Sequence, residues 1–227
     1  MNLNEKTDVI TILVDVANEG HITNCYLVYD KESKKGIIID PGYDYEKIIS
    51  KIKDEDVYIE YIYLTHCHAD HIGALEKLHE YLNCKILIHK NDIDGLFDIE
   101  KNYSEMLKVK NQEININYVM GVEDKYKFTV GNLEFEVIHT PGHTSGCTCL
   151  YESTNHILFT GDTIFSDCYG TTSLISGDFQ AMKLSLDKVF NRFENIKIFP
   201  GHDEICDLVD AKKRIKLLLA LKSQKHK

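Results

Sequence analysis

The stretch IYLTHCHADHIG, residues 62–73, ends an apolar run with a dense group of polar side chains. Within six positions it holds three histidines and an aspartate, namely His66, His68, Asp70 and His71. The preceding VYIEYIYL is rich in β-branched and aromatic residues, which is typical of a buried strand. His66 and His68 are two residues apart, so on an extended backbone both side chains point to the same side. The stretch therefore predicts a strand whose end carries candidate metal ligands.

A helix is predicted to follow this cluster, because apolar residues recur with a helical period at Ile72, Leu75, Leu78 and Leu82. Asp70 falls at the start of that helix, where aspartate is a favoured N-cap, so capping is the ordinary alternative to metal binding. Cys67 lies between two candidate ligands, and on a strand its side chain is expected to point away from them and to pack in the interior.

Four more apolar runs end at a histidine or an aspartate: GIIID at Asp40, LEFEVIHTPGH at His143, HILFTGD at Asp162 and IKIFPGH at His202. Functional residues collect in the loops at strand ends. If these ends meet at one edge of the sheets, the side chains converge. Without Asp40, the converging set is His66, His68, Asp70, His71, His143, Asp162 and His202.

Imidazole and carboxylate ligands suit zinc, and also iron or manganese. Seven ligands are too many for one tetrahedral ion, whereas they suit two ions that share a carboxylate and a water. The predicted cofactors are therefore two divalent metal ions, with zinc preferred. The other histidines are expected to be structural or exposed, and they are His21, His79, His89, His139, His156 and His226.

Paired strand-like runs predict β-hairpins across the polar segment KESKK, across Gly131-Asn132 and across Thr154-Asn155. Two further helical periods cover residues 179–190 and 207–222. Strand hairpins interleaved with single helices predict a layered α/β or α+β domain. Residues 91–120 show no clean period, and they could form either a helix-rich insertion or a lid.

The composition narrows the class of protein. The 227 residues suffice for one large domain or two small ones, and 43% of them are hydrophobic, which allows a sizeable core. A formal charge of −10 argues against a general nucleic-acid binder. No apolar stretch approaches the roughly 20 residues that span a bilayer, and the N-terminus does not resemble a signal peptide.

The cysteines point to a reducing compartment. They number seven and follow no regular framework, so a cytoplasmic protein is the simpler interpretation. Cys147 and Cys149 form a close pair, but they lie in an apolar run and are expected to be buried thiols.

Four motifs, THCHADHIG, HTPGHTSG, FTGDTIF and IFPGHDE, resemble the ordered motifs of the metallo-β-lactamase superfamily. Together with NCYLV and IIIDPG near the N-terminus, they are most similar to its glyoxalase II-like branch, and the resemblance covers about residues 12–205. It implies a four-layer αββα sandwich of two mixed sheets flanked by helices, with the metals at one edge of the sheets. Residues 1–227 are predicted to form a single domain.

Carried over by position, the resemblance implies a first metal site of His66, His68 and His143. The second site would be Asp70, His71 and His202, and Asp162 would bridge the two ions. Since His68 stands where the flavodiiron branch has a glutamate, an oxygen-reducing di-iron role is disfavoured.

The implied function is metal-dependent hydrolysis, in which a metal-bridging hydroxide attacks an acyl carbonyl and Asp70 holds its metal and orients the hydroxide. The leading substrate class is a small-molecule thioester, as in hydroxyacylglutathione hydrolases.

The chain departs from that family in two places. Only 25 residues follow His202, so the helical C-terminal domain that supplies much of the glutathione site is not expected. Short bacterial relatives often have a sequence close to GRTDL where this chain has GTTSL, residues 170–174, so one cation for a substrate carboxylate is missing. Tyr169 and Thr172 are candidate pocket residues, with loop packing as the alternative.

Other interpretations stay open. A persulfide dioxygenase of the same fold would use one iron on His66, His143 and Asp162. Lactone hydrolysis, phosphodiester hydrolysis or nuclease activity, and a non-enzymatic metal-binding protein are further alternatives. The lysine-rich tail, residues 210–227, reads as an amphipathic helix whose basic end favours the helix dipole. Neither a nucleic-acid partner nor a membrane is expected, and a homodimer is left open.

Overall fold

A computed structural model describes residues 7–16 and 20–224 of the chain. Their strands form two six-stranded sheets in which sequential strands are neighbours. The first sheet comprises β1 (Thr7–Val16), β2 (His21–Asp30), β3 (Lys35–Ile39), β4 (Tyr58–Tyr63), β5 (Lys85–His89) and β6 (Val119–Val122). The second comprises β7 (Lys127–Val130), β8 (Leu133–His139), β9 (Thr148–Glu152), β10 (Ile157–Gly161), β11 (Lys197–Pro200) and β12 (Cys206–Asp207).

Helices cover the outer faces of both sheets. They are α1 (Tyr45–Asp54), α2 (Ala69–Ile72), α3 (Leu75–Leu82), α4 (Phe179–Arg192) and α5 (Leu208–Gln224). The first three pack through a buried apolar cluster on the first sheet, and α4 and α5 pack through another on the second. This helix–sheet–sheet–helix order confirms the predicted αββα sandwich.

Strand β3 shows why two apolar faces are needed. Ile38 points to the outer cluster beneath α1, whereas Ile37 and Ile39 point into the layer between the sheets. A strand buried on both faces reads as a continuous apolar run rather than as an alternation. The central layer is filled largely by aromatic rings, including Tyr26, Tyr63, Phe135 and Phe159.

The sheets are mixed, as predicted, and the three predicted hairpins are confirmed as antiparallel pairs β2–β3, β7–β8 and β9–β10. Strands β3, β4, β5 and β6 are parallel to one another, and β10 is parallel to β11. Because parallel strands end at the same edge of a sheet, the loops that follow them meet there. That edge carries the candidate ligands.

Two local expectations are corrected. The apolar stripe from Ile72 to Leu82 is divided between α2 and α3. Gly73 lies at the junction, where a Cβ would be 2.2 Å from the carbonyl oxygen of Gly42. In residues 91–118 the structure shows no α-helix, only irregular chain with 3-10 turns at Lys90–Asp92, Asp94–Leu96 and Ile116–Tyr118.

All seven cysteines lie in the described part of the chain and none forms a disulfide, and Cys147 and Cys149 are buried as predicted. Over the described ranges, no helix has both the length and the apolar character needed to cross a membrane. The prediction for the lysine-rich tail is answered only in part: α5 covers residues 210–224, whereas the last three residues, which include His226, lie outside the described part of the chain.

Candidate metal centre

The seven candidate ligands lie together at one edge of the sandwich. They form three groups in which the ligand atoms lie within 4.8 Å of one another. One group is His66, His68 and His143, which we call the buried trio, and another is Asp70, His71 and His202, which we call the cleft trio. The third joins Asp162 to His66 and His71. The described fold thus brings together every residue in the predicted ligand set.

Residues 62–73 reach this edge in a slightly different way than predicted. Strand β4 ends at Tyr63, so His66 and His68 lie in the loop beyond it, where His68 keeps an extended backbone and precedes α2. The N-cap of α2 is His68, without a side-chain capping bond, and Asp70 lies within the helix. The capping alternative for Asp70 is therefore wrong, and its carboxylate is directed to other partners.

The buried trio packs ring against ring. The ring centroids of His66 and His68 are 4.7 Å apart, those of His66 and His143 are 4.9 Å apart, and those of His68 and His143 are 4.5 Å apart. All three side chains are buried. Their three Nε2 atoms have no hydrogen-bond partner. Buried polar atoms are nearly always satisfied, so three converging orphan nitrogens fit a metal ion.

The cleft trio is richer in charge and more exposed. The Nε2 atom of His202 lies 3.2 Å from Asp70 Oδ2, and the Nε2 atom of His71 lies 3.5 Å from the same oxygen. The two Nε2 atoms are 3.3 Å apart. His71 is buried, whereas Asp70 and His202 are partly open to solvent. This arrangement resembles a second set of ligands placed at the mouth of the site.

Asp162 lies between the two trios. Its Oδ2 atom is 3.4 Å from Nε2 of His143 in the buried trio and 3.5 Å from Nε2 of His202 in the cleft trio. Its Oδ1 atom is 3.3 Å from Nε2 of His71. Neighbouring Gly201 must remain small, because a Cβ there would lie 2.4 Å from Asp162 Oδ1. The carboxylate is therefore placed where it could be shared between two ions.

The opposite ring nitrogens hold the histidines in place. His143 Nδ1 lies 2.7 Å from the carbonyl oxygen of Thr171, and His202 Nδ1 lies 2.7 Å from that of Ile22. Because a carbonyl oxygen only accepts, each Nδ1 must donate its proton. In the neutral ring this leaves a lone pair on Nε2, the atom that faces the centre.

Asp40 is a buried carboxylate that orients the cleft trio. Its Oδ2 atom lies 3.0 Å from His71 Nδ1, and it also accepts from the Thr65 hydroxyl, while Oδ1 accepts from the Thr65 N–H. The backbone of Asp40 is in the left-handed region, with φ of 51°. The sequence analysis counted Asp40 among the strand ends but assigned it no role.

Asp92 joins the two loops that carry the buried trio. It is buried, and its Oδ2 atom accepts from the Cys67 N–H at 3.2 Å and from the Thr144 hydroxyl at 2.7 Å. Cys67 stands between His66 and His68, and Thr144 follows His143 directly. Asp92 was not predicted to be a site residue, although it follows the apolar run KILIH much as the candidate ligands follow theirs.

Tyr103 is another residue near the centre that was not predicted from the sequence. Its ring lies edge-on to His68, with centroids 5.3 Å apart, and its hydroxyl accepts from the Ile175 N–H at 2.6 Å. Its backbone is left-handed, with φ of 60°, which is uncommon for a bulky residue. Tyr103 thus ties the irregular 97–109 segment to the loop after Asp162. No local pattern in the sequence announces this contact.

Burial and charge separate the two trios electrostatically. Burial lowers the pKa of His68 to about 3, with neighbouring His143 adding to the effect. Burial also opposes charge on His71, yet Asp70, Asp162 and Asp40 raise its pKa to about 10.

His202 behaves like His71: against the effect of burial, Asp162 and Asp70 raise its pKa to about 12. In the reverse direction, burial favours a neutral Asp70, but His71 and His202 lower its pKa to about 2. The two histidines of the cleft trio therefore balance the nearby carboxylates with positive charge, which is the role a divalent cation would take.

The remaining predicted site residues lie around this centre. Tyr169 is almost fully buried and its ring packs near Phe179, with centroids 6.2 Å apart, while Thr172 is half-buried in the loop after Asp162. Their substrate role stays a prediction. Cys67 is buried with its sulfur against Gly95, and it is not among the grouped ligands.

Four other histidines have ordinary structural partners. His79 Nδ1 contacts the carbonyl of Cys84, and His156 Nδ1 contacts the Tyr151 hydroxyl. His89 and His139 stack with centroids 3.9 Å apart. The backbone of His21 belongs to β2, and its side chain lies outside the described part of the chain.

A cleft of about 780 Å³ opens beside the cleft trio. Asp70 and His202 form part of its wall, and its apolar lining comes from Leu13, Ile22, Leu107 and Ile205. A substrate bound there would lie against the partly exposed ligands, rather than against the buried trio.

Known proteins share this fold and these motifs. The Metallo-beta-lactamase superfamily profile matches residues 18–202. An uncharacterized protein of Aquifex aeolicus is 32% identical over 84% of this chain and 90% of its own. Hydroxyacylglutathione hydrolase GloC of Haemophilus influenzae is 29% identical over 79% of this chain and 84% of its own. The crystal structure of BLEG-1 B3 metallo-beta-lactamase superposes with a TM-score of 0.83 and 28% identity, over 93% of this chain and 99% of that one.

The chain therefore belongs to the metallo-β-lactamase superfamily, and the resemblance read from its motifs is confirmed. Its relatives include a hydroxyacylglutathione hydrolase, in agreement with the predicted glyoxalase II-like branch.

Proposed function

We propose that this chain is a two-metal hydrolase that cleaves thioesters. One observation carries the proposal: seven histidine and aspartate side chains converge in groups whose ligand atoms lie within 4.8 Å of one another, beside a cleft. Two divalent ions held there, zinc in preference to iron or manganese, would supply an activated water and would polarise an acyl carbonyl. The buried trio would hold one ion, the cleft trio the other, and Asp162 would bridge them.

The residues around the centre have distinct tasks. Asp70 is partly exposed to the cleft, and its Oδ2 atom would orient the attacking water and accept its proton. Asp40 holds His71, and the carbonyls of Thr171 and Ile22 hold His143 and His202. In the overall reaction water adds to the acyl carbon, the C–S bond breaks, and a carboxylic acid and a thiol leave.

The thioester is proposed because a hydroxyacylglutathione hydrolase is among the relatives. The similar BLEG-1 structure is a metallo-β-lactamase, so β-lactams belong in the same assay. We also propose that residues 1–227 act as one domain in the cytoplasm, where the seven cysteines, none of them in a disulfide, would stay reduced.

The test begins with protein purified without added metal. Its metal content is measured, the metal is removed by chelation, and zinc, manganese or iron(II) is added back. We expect about two ions per chain and thiol release from thioesters only in the reloaded protein. The chelated protein is the control.

Each other outcome points elsewhere. One iron per chain with oxygen uptake on a persulfide would establish the dioxygenase instead. Faster cleavage of lactones, β-lactams or phosphodiesters than of any thioester would replace the substrate class. If the fully metal-loaded protein turns over none of these substrates, the proposed enzymatic function is wrong.

A further inference from the structure

A largely irregular stretch, residues 95–104, packs against the part of the chain that carries His66, His68, Asp70 and His71. We call this stretch the clamp segment. It contacts the ligand-bearing chain at two residues that lie between ligands in the sequence, namely Cys67 and Ala69. The clamp segment can therefore support the ligands without binding a metal ion itself.

The first contact is between Gly95 and the side chain of Cys67. Gly95 approaches so closely that a Cβ added to it would lie 2.3 Å from Cys67 Sγ. Cys67 is buried and stands between His66 and His68, two members of the buried trio. The loop that carries these two histidines therefore packs directly on the backbone of Gly95.

The second contact is a hydrogen bond to the start of α2. The carbonyl oxygen of Asn102 accepts from the Ala69 N–H at 2.7 Å. Ala69 is the first residue of α2, and the first N–H groups of a helix have no partner within it. Since α2 carries Asp70 and His71 of the cleft trio, this bond holds the start of the helix that presents both ligands.

Asn102 joins the two contacts. Its side chain is fully buried, and Nδ2 donates to the carbonyl oxygen of Gly95 at 2.9 Å. Oδ1 accepts from the Ser104 N–H at 2.9 Å and from the Ser104 hydroxyl at 2.5 Å, and the Asn102 N–H donates to the carbonyl oxygen of Asp98 at 3.0 Å. A buried amide with these partners favours one arrangement, because each lost bond would leave a buried polar group unpaired. The side chain thus holds Gly95 and the Asn102 carbonyl in fixed positions relative to each other.

Resting on the two-ion centre of the proposed function, we propose that Asn102 is a positioning residue for both metal ions. Through Gly95 it supports the loop of the buried trio, and through Ala69 it supports the helix of the cleft trio. It differs in this from Asp40, which contacts the cleft trio, and from Asp92, which joins the loops of the buried trio. Because coupling between sites is reciprocal, the bound ions should in turn stabilise the clamp segment.

The variant Asn102→Ala tests the proposal through metal affinity. It removes the side-chain bonds to Gly95 and Ser104, so the clamp segment is no longer held in one arrangement. Calorimetric titration of the metal-free protein with zinc follows the two binding events. Loss of a supporting partner commonly lowers metal affinity by about 10- to 100-fold, so we expect both events to weaken by about tenfold or more.

The matched control is Gln112→Ala. Gln112 is also a buried amide, which accepts from the Glu76 N–H at 3.0 Å and donates to the carbonyl oxygen of Lys110 at 2.7 Å. These bonds hold the chain to α3, which carries none of the seven candidate ligands. Both variants should lower the melting temperature, but Gln112→Ala should leave both zinc-binding events unchanged. The comparison separates positioning of the ions from a general loss of stability.

Hydrogen exchange of the parent protein tests the reciprocal effect without any variant. We expect zinc to slow backbone exchange in peptides that cover residues 95–104 by about tenfold relative to chelated protein. Peptides that cover residues 111–118 are the internal control and should exchange equally with and without zinc. If circular dichroism shows that Asn102→Ala does not fold, this measurement still tests the proposal.

The proposal is wrong if Asn102→Ala weakens only one zinc-binding event or neither, or if Gln112→Ala weakens both events to the same extent. Exchange in residues 95–104 that zinc leaves unchanged also overturns it. A parent protein that binds two zinc ions but cleaves no thioester would remove the proposed reaction and leave the role of Asn102 intact. A parent protein that binds fewer than two would remove both.

Discussion

The buried trio and the cleft trio differ in every physical respect except their proximity. His66, His68 and His143 are enclosed, carry no carboxylate and leave three Nε2 atoms without a hydrogen bond. The cleft trio combines two histidines with a carboxylate, and two of its members reach solvent. The same sandwich edge thus provides one enclosed set of candidate ligands without a carboxylate and one open set that contains one.

The contrast indicates how the centre divides its work. An enclosed set of imidazoles would hold an ion without competition from water, which suits permanent binding. An open set with a carboxylate beside a cleft would meet the substrate and move protons. Variants of single residues can test whether the two trios have these separate roles.

Removing the shared carboxylate should have the largest effect. Asp162 lies within 3.5 Å of ligand atoms in both trios. We expect Asp162→Ala to lower kcat/KM by about 1000-fold, because several kcal/mol of transition-state stabilisation are lost. Metal content should fall below that of the parent protein. Asp187→Ala, an exposed position on α4, is the control and should behave as the parent. An Asp162→Ala protein that keeps both ions and full activity would contradict the bridging assignment.

Removing the support of His71 should weaken one site selectively. Asp40 accepts from Thr65 twice and lies 3.0 Å from His71 Nδ1. Replacement of such a partner commonly lowers metal affinity by about 10- to 100-fold. In a zinc titration of Asp40→Asn we therefore expect the weaker of two binding events to shift and the tighter one to stay. A parallel shift of both events would mean that the trios are not independent.

Asp92→Ala should show the opposite pattern. The alanine lacks the Oδ2 atom that accepts from both the Cys67 N–H and the Thr144 hydroxyl. The two loops of the buried trio would lose their common anchor, and we expect the tighter zinc-binding event to weaken by about tenfold. Circular dichroism would show whether the fold is kept. An unchanged tight event in a folded variant would remove Asp92 from the support of the centre.

The pKa shifts in the two trios also predict that the stability of the metal-free protein passes through a maximum with pH. The pKa of His68 is lowered to about 3 from 6.5, so below pH 6.5 the unfolded chain binds more protons and stability falls with acid. The pKa values of His71 and His202 are raised from 6.5 to about 10 and about 12, so above pH 6.5 the folded chain binds more protons and stability falls with alkali.

The melting temperature of chelated protein should therefore peak near pH 6.5, the ordinary histidine pKa from which both shifts depart. Zinc should flatten the alkaline limb, because the ion replaces the protons on the cleft trio. A metal-free protein that becomes steadily more stable from pH 7 to pH 9 would contradict the raised pKa values.

The sequence predicted some of these features and missed others for physical reasons. Strand ends and hairpins follow from local patterns, so a layered domain and the convergence of His66, His143 and His202 could be predicted from the residues. The αββα sandwich itself was implied by the resemblance of the motifs to a known family. The capping alternative for Asp70 is wrong, because the N-cap of the four-residue helix is His68. Asp92 was missed because the strand before it, Lys85–His89, was not predicted. Tyr103 could not be foreseen, because its contacts with His68 and Ile175 depend on two irregular segments meeting in space.

The smallest expected effect lies at that meeting point. Tyr103→Phe removes the hydroxyl that accepts from the Ile175 N–H but keeps the ring against His68. A single hydrogen bond contributes about 1 kcal/mol, so we expect the melting temperature to fall by about 2–4 °C and kcat/KM to change by less than about tenfold. Both ions should stay bound, since the ring still confines His68. Tyr103→Ala removes the ring too and should loosen the tighter zinc-binding event. If the two variants behave alike, the hydroxyl rather than the ring matters, and the enclosure of the buried trio does not depend on Tyr103.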